Sequence, residues 1–212
     1  KKKPFFIVFE GVEGCGKSYQ SKKLYNNLKK KKISSILTRE PGGTRSAEMI
    51  RSLILKDYFN KSNKEKFDKY TDTLLYLAAR NEHVKNKIMP ALKQKKVVIC
   101  DRFVDSTLAY QVYGKKVSLN LINNIHKIIL NGLKPNITFL LKVSPTTSKL
   151  RLSKRKIKNR YDKFDQSFYN KVQKSFLKIA KNKMNYYVFD SSKNDKVLEN
   201  KIINIVLKHL IK

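Results

Sequence analysis

The chain is poor in the residues that cross-link or interrupt regular structure. It has no tryptophan, 2 cysteines, 5 prolines and 7 glycines in 212 residues. Two cysteines cannot form a disulfide framework, and a chain of this length can bury a core without one, which predicts a reducing, cytoplasmic setting. No apolar run approaches the ~20 residues of a membrane span. The first residues lead straight into an apolar strand, so we expect neither a membrane partner nor a signal peptide.

Acidic residues are also scarce, with 16 Asp and Glu against 48 Lys and Arg and a formal net charge of +32. A balance this basic is typical of proteins that bind nucleic acid. The lysines, however, are spread over the whole chain, whereas a nucleic-acid surface concentrates its charge in one patch. Asparagine, isoleucine, tyrosine and phenylalanine are plentiful as well, which favours the codon bias of an AT-rich genome. We therefore expect no specific nucleic-acid partner.

The few glycines are concentrated, and three of the seven lie in Gly11–Ser18, GVEGCGKS. This segment fits the phosphate-loop pattern GxxxxGK[ST] in full and follows five apolar residues, Phe5–Phe9, that are typical of a buried parallel strand. In such a loop the backbone N–H groups face an anion, the lysine reaches the β- and γ-phosphates, and the serine hydroxyl binds Mg²⁺. A glycine-rich turn without a ligand is the alternative. The residues predicted to bind ATP are Gly11, Val12, Glu13, Gly14, Cys15, Gly16, Lys17 and Ser18.

Apolar strands alternate with amphipathic helices along the rest of the chain. Strands are predicted over residues 5–9, 33–38, 97–100, 137–143 and 186–189. Helices are predicted from residue 17 and over residues 46–55, 119–130, 168–180 and 197–210. A further long helix is predicted from Tyr70, with Leu74, Leu77, Ala78 and Val84 as its buried stripe. The alternation predicts an α/β fold, with one five-stranded parallel sheet flanked by helices in a single domain over residues 1–212.

An acidic residue follows the predicted strand at 97–100. Asp101 would lie at the carboxyl edge of the sheet beside the phosphate loop, where a nucleotide-bound Mg²⁺ takes a second ligand. Asp101 and Ser18 therefore form a candidate metal site, although a helix cap or a surface ion pair would also account for Asp101. Hydrogen-bonding side chains are concentrated just after it, at Ser106, Thr107, Tyr110 and Gln111.

Six segments, in this order, resemble bacterial thymidylate kinases. They are FEGVEGCGKS at 9–18, TREPGGT at 38–44, AEMIRSLIL at 47–55, LLYLAAR at 74–80, DRFVDSTLAYQ at 101–111 and an arginine-bearing segment at 151–162. The resemblance runs from Phe5 to near Leu210. It implies the P-loop fold of nucleoside monophosphate kinases, Mg²⁺- and ATP-dependent phosphorylation of dTMP to dTDP, and a homodimer.

Two other classes of protein remain as alternatives. Another small P-loop kinase, for nucleosides or other nucleotides, would share the phosphate loop and the Asp-Arg pair. It would not be expected to combine TREPGGT, LLYLAAR and STLAYQ. A basic P-loop ATPase that binds nucleic acid is the alternative from a different class, and a steep salt dependence of binding would identify it.

The resemblance also assigns roles on the acceptor side. It places Arg51 and Arg102 on the dTMP phosphate, with Arg39 as a third arginine, because fixed guanidinium groups orient an anionic acceptor. It places Glu13 near the deoxyribose 3′-OH, and Tyr110 beside the sugar, where its ring would exclude a ribose 2′-OH.

For the base, the resemblance implies stacking and hydrogen bonds. Tyr76 matches the aromatic ring that stacks on thymine, and Arg80 the residue that hydrogen-bonds its carbonyl edge. The candidate substrate-binding residues are Glu13, Arg39, Pro41, Arg51, Tyr76, Arg80, Arg102, Ser106, Thr107, Tyr110 and Gln111.

Three arginines lie in a segment at about 146–162 that resembles the family's lid. Some thymidylate kinases carry a catalytic arginine inside the phosphate loop, but this loop has none. We therefore expect a lid arginine to contact the transferring phosphate, with Arg155 the first choice, although a solvated basic face is the alternative in so lysine-rich a chain. The candidate catalytic residues are Lys17, Asp101, Arg102, Arg151, Arg155 and Arg160.

Overall fold

The computed structural model describes residues 3–55, 66–155, 165–181, 183–193 and 195–211. Its strands are β1 (Phe5–Glu10), β2 (Ser35–Arg39), β3 (Val97–Asp101), β4 (Ile137–Lys142) and β5 (Tyr186–Asp190). They form one five-stranded sheet in the order β2-β3-β1-β4-β5, and each neighbouring pair is parallel. The predicted α/β fold with a five-stranded parallel sheet is confirmed.

Helices connect the strands and cover the sheet. They are α1 (Lys17–Lys30), α2 (Arg45–Leu55), α3 (Lys69–His83), α4 (Met89–Lys93), α5 (Val104–Thr107), α6 (Leu119–Leu130), α7 (Pro145–Ser153), α8 (Gln166–Ala180) and α9 (Lys196–Ile211). π-helical segments join α3 to α4 at Val84–Ile88 and extend α5 at Leu108–Gly114. Within the described ranges no helix combines the length and apolarity that crossing a bilayer requires.

The central strand β1 is covered on both faces. Phe6, Ile7, Val8 and Phe9 are each at most 1% exposed. Because successive side chains of a strand point to opposite faces, Ile7 and Phe9 join the core beneath α1, α8 and α9, whereas Phe6 and Val8 join the core beneath α4. This double burial explains why the strand is a continuous apolar run in the sequence.

Three strands end side by side at the carboxyl edge of the sheet. Asp101, the last residue of β3, pairs in register with Phe9 of β1 and with Arg39 of β2. The phosphate loop follows β1 directly, so its residues, Arg39 and Asp101 are brought to the same edge. In parallel α/β sheets ligands bind in the crevice outside this edge.

The buried face of α3 differs from the predicted apolar stripe. Leu77 and Val84 are buried, but Leu74 is 50% exposed and Ala78 is exposed as well. The helix instead turns a largely polar side inward, with Asp72, Thr73, Arg80 and His83. These polar groups have hydrogen-bond partners inside the protein, and a hydrophobicity pattern carries no information about such partners.

Candidate active site

A cavity of about 490 Å³ opens at the carboxyl edge of the sheet. It brings together most of the residues that the sequence singled out for function. On the nucleotide side it is lined by Glu13, Gly14, Gly16, Lys17, Ser18, Asp101, Arg151 and Arg155. On the other side it is lined by Arg39, Pro41, Arg51, Tyr76, Arg80, Arg102, Ser106, Thr107, Tyr110 and Gln111.

Four candidate residues are not part of this lining. Gly11, Val12 and Cys15 belong to the loop but do not line the cavity, and the Cys15 side chain is fully buried. Arg160 lies outside the described residues. The cavity also includes Tyr19, Glu40, Leu55 and Leu152, which the sequence did not single out.

The phosphate loop has the backbone that its glycines predict. Gly11 has φ 138°, and a Cβ at this position would lie 2.3 Å from the carbonyl oxygen of Leu141 in β4, so no other residue fits without a shift. Gly16 precedes α1 with φ 93° and offers no side chain to cap it. The first N–H groups of α1 therefore remain available to an anion at the helix N-terminus, where the helix dipole favours negative charge.

Lys17 lines the cavity but is largely buried, with 6% exposure. Its ammonium group donates hydrogen bonds to the carbonyl oxygens of Gly11 at 3.0 Å and Val12 at 2.8 Å. A buried charge needs such partners. In this arrangement the loop's own carbonyls hold the Lys17 side chain at the floor of the cavity.

The candidate metal ligands touch each other. The Ser18 hydroxyl donates a short hydrogen bond to Oδ2 of Asp101, which links the first turn of α1 to the end of β3. A hydroxyl and a carboxylate are the hard oxygen ligands that suit Mg²⁺, which usually takes only one or two protein ligands beside phosphate and water. No group of three or more His, Cys, Asp or Glu in the described part of the chain could hold a metal by itself. The residues present fit Mg²⁺ that is bound together with nucleotide phosphates.

Two arginines that line the cavity are held on one carboxylate. Arg39 donates to both carboxylate oxygens of Glu48 at 3.1 and 3.3 Å, and Arg51 lies 3.9 Å from the same group. Arg51 also donates to the carbonyl oxygen of Pro41 at 2.6 Å, next to the cis Glu40–Pro41 bond. Burial and the neighbouring charge of Arg39 lower the pKa of Arg51. Two guanidinium groups this close form a site suited to a phosphate.

Arg80 is the centre of a buried polar network. It is 3% exposed and donates to Oε2 of Glu40 at 2.7 Å, Oγ1 of Thr107 at 2.8 Å and Nε2 of His126 at 2.7 Å. A fourth bond runs to the carbonyl oxygen of Phe103 at 2.9 Å. Bonds to four residues fix the guanidinium in one orientation.

The ionisation of this network is set by its surroundings. Burial opposes the charge on Glu40, but Arg80 and His83 outweigh it, so the pKa of the Glu40 carboxyl is lowered. Burial and the charge of Arg80 lower the pKa of His126 to about 3. His126 is therefore neutral and able to accept the Arg80 hydrogen bond at neutral pH.

Arg102 is locked by a second carboxylate, Glu13 of the phosphate loop. It donates to Oε1 of Glu13 at 2.8 Å and to the carbonyl oxygen of Gly11 at 2.9 Å, and its guanidinium lies 5.3 Å from the ring centre of Tyr110. The Tyr110 hydroxyl donates a short hydrogen bond to the other oxygen of Glu13. Burial, together with Glu13, raises the pKa of Tyr110 well above its usual range. The phosphate loop and the acceptor side of the cavity are thus joined through one carboxylate.

Glu10, the last residue of β1, shapes the turn that carries Arg102. It accepts hydrogen bonds from the backbone N–H groups of Phe103 at 2.8 Å and Ser106 at 3.2 Å, and from the Ser106 hydroxyl at 2.6 Å. Arg102 has φ 72° in this turn, which is unusual for a residue with a side chain. Burial and the charge of Asp105 raise the pKa of Glu10 to about 8.

One buried donor at the cavity wall has no partner among the residues that the structure describes. Gln111 is 2% exposed, and its Nε2 group makes no hydrogen bond to any described residue. Leaving a buried amide donor unpaired costs roughly 1–3 kcal/mol, so such a group is expected to meet a ligand or water. Tyr76 lines the same cavity and is partly buried.

The two described lid arginines differ in their surroundings. Arg155 follows α7, lines the cavity and is exposed. Arg151 lies within α7 and donates to three backbone carbonyl oxygens, those of Gly14, Ser191 and Ser192. The sequence grouped these arginines in one cluster and gave Arg155 as the first choice for the transferring phosphate.

Sequence reasoning missed the residues that orient these groups. Glu48 lies three positions before Arg51 in α2. This helical spacing favours an ion pair, and it was the one signal in the sequence that could have identified Glu48. Glu40 was not singled out, because the proline and glycines that follow it were the features noted in its segment. His126 had no local signal, because its partner Arg80 lies 46 positions away.

Comparison with known proteins agrees with this geometry. The family model for thymidylate kinase matches residues 9–202. A thymidylate kinase from Wolbachia pipientis wMel is 43% identical over 205 residues, covering 94% of this chain and 98% of the relative. One from aster yellows witches'-broom phytoplasma is 42% identical over 209 residues, covering 97% and 96%.

A solved structure is similar as well. The crystal structure of thymidylate kinase from Ehrlichia chaffeensis superposes with a TM-score of 0.72 at 30% identity, covering 96% of this chain and 99% of that one. The family model and the relatives match nearly the whole chain, including every segment that lines the cavity. This chain belongs to the thymidylate kinase family.

Proposed function

We infer that this chain is a thymidylate kinase that transfers the γ-phosphoryl group of ATP to dTMP and releases dTDP and ADP. The assignment of this reaction rests on family membership. One observation in the structure supports the assignment most directly. A single cavity is lined both by the phosphate loop and by Arg39 and Arg51, two arginines on one carboxylate that are proposed to bind a second anion. Two phosphorylated substrates could therefore meet within one cavity.

On the donor side, the loop N–H groups and the N-terminus of α1 would hold the ATP phosphates. Lys17, at the cavity floor, would follow the β- and γ-phosphates, exchanging its carbonyl partners for phosphate oxygens. Ser18 and Asp101 are proposed to hold Mg²⁺, which when bound supplies charge neutralisation at the phosphates. The chain's own groups supply position and charge, which is most of what phosphoryl transfer requires.

On the acceptor side, Arg51 and Arg39 are proposed to bind the dTMP phosphate, oriented by Glu48. Arg102 lines the cavity beside Glu13 of the phosphate loop and would offset the repulsion between the two anionic substrates. Glu13 holds this arginine, which leaves Glu13 close to the position proposed for the sugar.

For the base, Tyr76 is proposed to stack on thymine. The Nε2 donor of Gln111, which has no partner among the described residues, supports a hydrogen bond to a base carbonyl, and the fixed guanidinium of Arg80 supports a second one. Tyr110, held by Glu13, would exclude a 2′-OH. We also propose a cytoplasmic location, because both cysteines, Cys15 and Cys100, are buried free thiols.

We expect dTMP to be the best acceptor, dUMP to be weaker and UMP to be poor. The loss of one methyl group should reduce kcat/KM about tenfold to a few hundredfold, because a hydrophobic pocket discriminates a methyl by only ~1–3 kcal/mol. A coupled assay of ADP release over all nucleoside monophosphates measures this order. A faster reaction with dAMP, dCMP or dGMP would identify the chain as a different nucleotide kinase.

We further propose a homodimer, formed through α2 and α3. These helices pack on each other. They expose four large apolar side chains to solvent: Met49 (66%), Leu53 (42%), Tyr70 (40%) and Leu74 (50%). Apolar residues gathered on two adjacent helices are typical of a subunit interface.

Sedimentation equilibrium tests this proposal, with an expected mass of twice that of the chain. Leu74→Glu should shift the mass to that of one chain, because it places a charge in the apolar contact. Val197→Glu, at an apolar residue of α9 that is 60% exposed, is the matched control and should leave the dimer intact. A wild-type monomer at tens of micromolar, or a Leu74→Glu dimer, would contradict the interface.

A further inference from the structure

Three consecutive carbonyl groups of the phosphate loop are each held from outside the loop. The carbonyl oxygen of Glu13 accepts from the Ser148 hydroxyl at 2.9 Å, that of Gly14 from Nη1 of Arg151 at 3.0 Å, and that of Cys15 from the Ser191 hydroxyl at 2.7 Å. The three donors come from α7 and from the segment that follows β5. We call Ser148, Arg151 and Ser191 the outer cradle.

These bonds determine where the loop N–H groups point. A trans peptide is planar, so the N–H of one residue points opposite to the C=O of the residue before it. Fixing three carbonyls on the outer side therefore fixes the next three N–H groups, which belong to Gly14, Cys15 and Gly16. Within the turn, the Cys15 N–H makes only a long 3.4 Å contact with the carbonyl oxygen of Val12. The orientation of this peptide thus depends on the donors outside the loop.

The contact between the loop and α7 is close. A Cβ on Gly14 would lie 2.9 Å from the carbonyl oxygen of Ser148 and 3.1 Å from its hydroxyl, and Gly14 has φ 71°. Ser148 is 4% exposed, and Ser191 is fully buried. This side of the loop therefore packs against the residues of the outer cradle and is not exposed to solvent.

Arg151 also connects α7 to the segment that follows β5. Its Nη2 group donates to the carbonyl oxygens of Ser191 at 3.0 Å and Ser192 at 2.7 Å. The Ser191 backbone N–H in turn donates to the carbonyl oxygen of Lys142 at the end of β4, at 2.8 Å. One guanidinium thus connects the loop, α7 and the ends of β4 and β5. Arg151 also lines the cavity, but three of its five N–H donors already bond to backbone carbonyl oxygens.

We propose that Ser148, Arg151 and Ser191 are positioning residues that orient the phosphate-loop N–H groups for ATP, and that Arg151 acts through the loop rather than on the transferred phosphate. The proposal deepens the proposed function, because it divides the lid arginines into two roles. Arg151 sets the affinity for ATP, whereas Arg155, which lines the open cavity, is left for the chemical step.

The test measures ATP binding and chemistry separately. Isothermal titration with ATP and Mg²⁺ should show about a tenfold or greater loss of affinity for Arg151→Ala, while dTMP affinity changes by less than about twofold. At saturating ATP, the single-turnover rate should fall much less than it does for Arg155→Ala. Arg151→Lys should recover part of the ATP affinity, because an ammonium group can still donate to one or two of the carbonyls.

Two further variants keep the test decisive if Arg151→Ala does not fold. Ser148→Ala and Ser191→Ala each remove one donor, and each should weaken ATP binding a few-fold without changing dTMP affinity. Lys154→Ala, at an exposed lysine near the end of α7, is the control and should change neither affinity.

A rate defect of about a hundredfold in Arg151→Ala, with unchanged ATP affinity, would place Arg151 on the transferring phosphate and overturn the proposal. Unchanged ATP affinity in all three outer-cradle variants would also overturn it. Because ATP binding is measured directly, this result is independent of whether dTMP is the acceptor. A failure of the proposed function would instead appear as absent dTMP turnover by the wild-type enzyme.

Discussion

Lys17→Ala should lower kcat for dTMP phosphorylation by about a thousandfold or more. Its ammonium group is the positive side-chain charge of the phosphate loop that would stabilise the transferring phosphate. The carbonyls of Gly11 and Val12 now hold this group at the cavity floor. Single-turnover phosphorylation at saturating ATP and dTMP measures the chemical step directly.

The matched control for this variant lies on the same helix. Lys22→Ala removes an exposed lysine of α1 and should leave the rate within about twofold of wild type. Because Lys17 is buried, its removal also affects the loop, so dTMP binding and the thermal transition should be recorded with the rate. A folded Lys17→Ala enzyme that binds dTMP and retains more than about a tenth of wild-type turnover would contradict the assigned role.

Arg155→Ala should lower kcat by about a hundredfold or more with a much smaller effect on dTMP affinity. Phosphoryl transfer spreads negative charge over the equatorial oxygens of the moving group, and a guanidinium there is worth ~10³-fold or more. The phosphate loop supplies no arginine, and Arg155 is the lid arginine that lines the cavity without the three backbone bonds that hold Arg151.

Charge on the lid by itself should not produce this effect. Lys154→Ala, which removes the neighbouring exposed charge, should leave kcat nearly unchanged. Single-turnover rates for both variants, at ATP concentrations above their measured KM, make the comparison. If Arg155→Ala slows the chemical step by less than about tenfold, the lid is only a cover, and Lys17, Arg102 and Mg²⁺ must neutralise the charge.

The parts of the site that could be predicted from the sequence are those encoded locally. The phosphate loop is eight contiguous residues whose glycines, lysine and serine have fixed spacing, and the strand ahead of it is an uninterrupted apolar run. Asp101 could be placed for the same reason, since it directly follows such a run and parallel strands end at one edge.

The parts that could not be predicted depend on partners that are distant in sequence. Arg80 meets Glu40 and His126, which lie 40 and 46 positions away, and no periodicity connects them. The same network explains why α3 buries Arg80 and exposes Leu74, against its hydrophobic pattern. Burial of a polar face is favourable once its groups are paired, and pairing is a property of the folded chain.

The lid arginines illustrate the same limit. The sequence gives the order and spacing of the three arginines but not their contacts. All three were therefore candidates for the transferring phosphate. In the fold both arginines line the cavity, but Arg151 is held by three backbone carbonyl oxygens, one of them in the phosphate loop, whereas Arg155 is exposed. A difference of one helical turn thus separates a proposed positioning role from a proposed catalytic one.

The transfer of phosphate from ATP to dTMP is tested most directly by following labelled phosphate. The enzyme is incubated with Mg²⁺, ATP labelled at the γ-phosphate and unlabelled dTMP, and the products are separated. All released label should appear in dTDP, in equal amount to the ADP formed, and none should be released when dTMP is omitted. Label released as inorganic phosphate at the same rate without dTMP, and faster when nucleic acid is added, would identify a nucleic-acid-dependent ATPase and contradict the assignment.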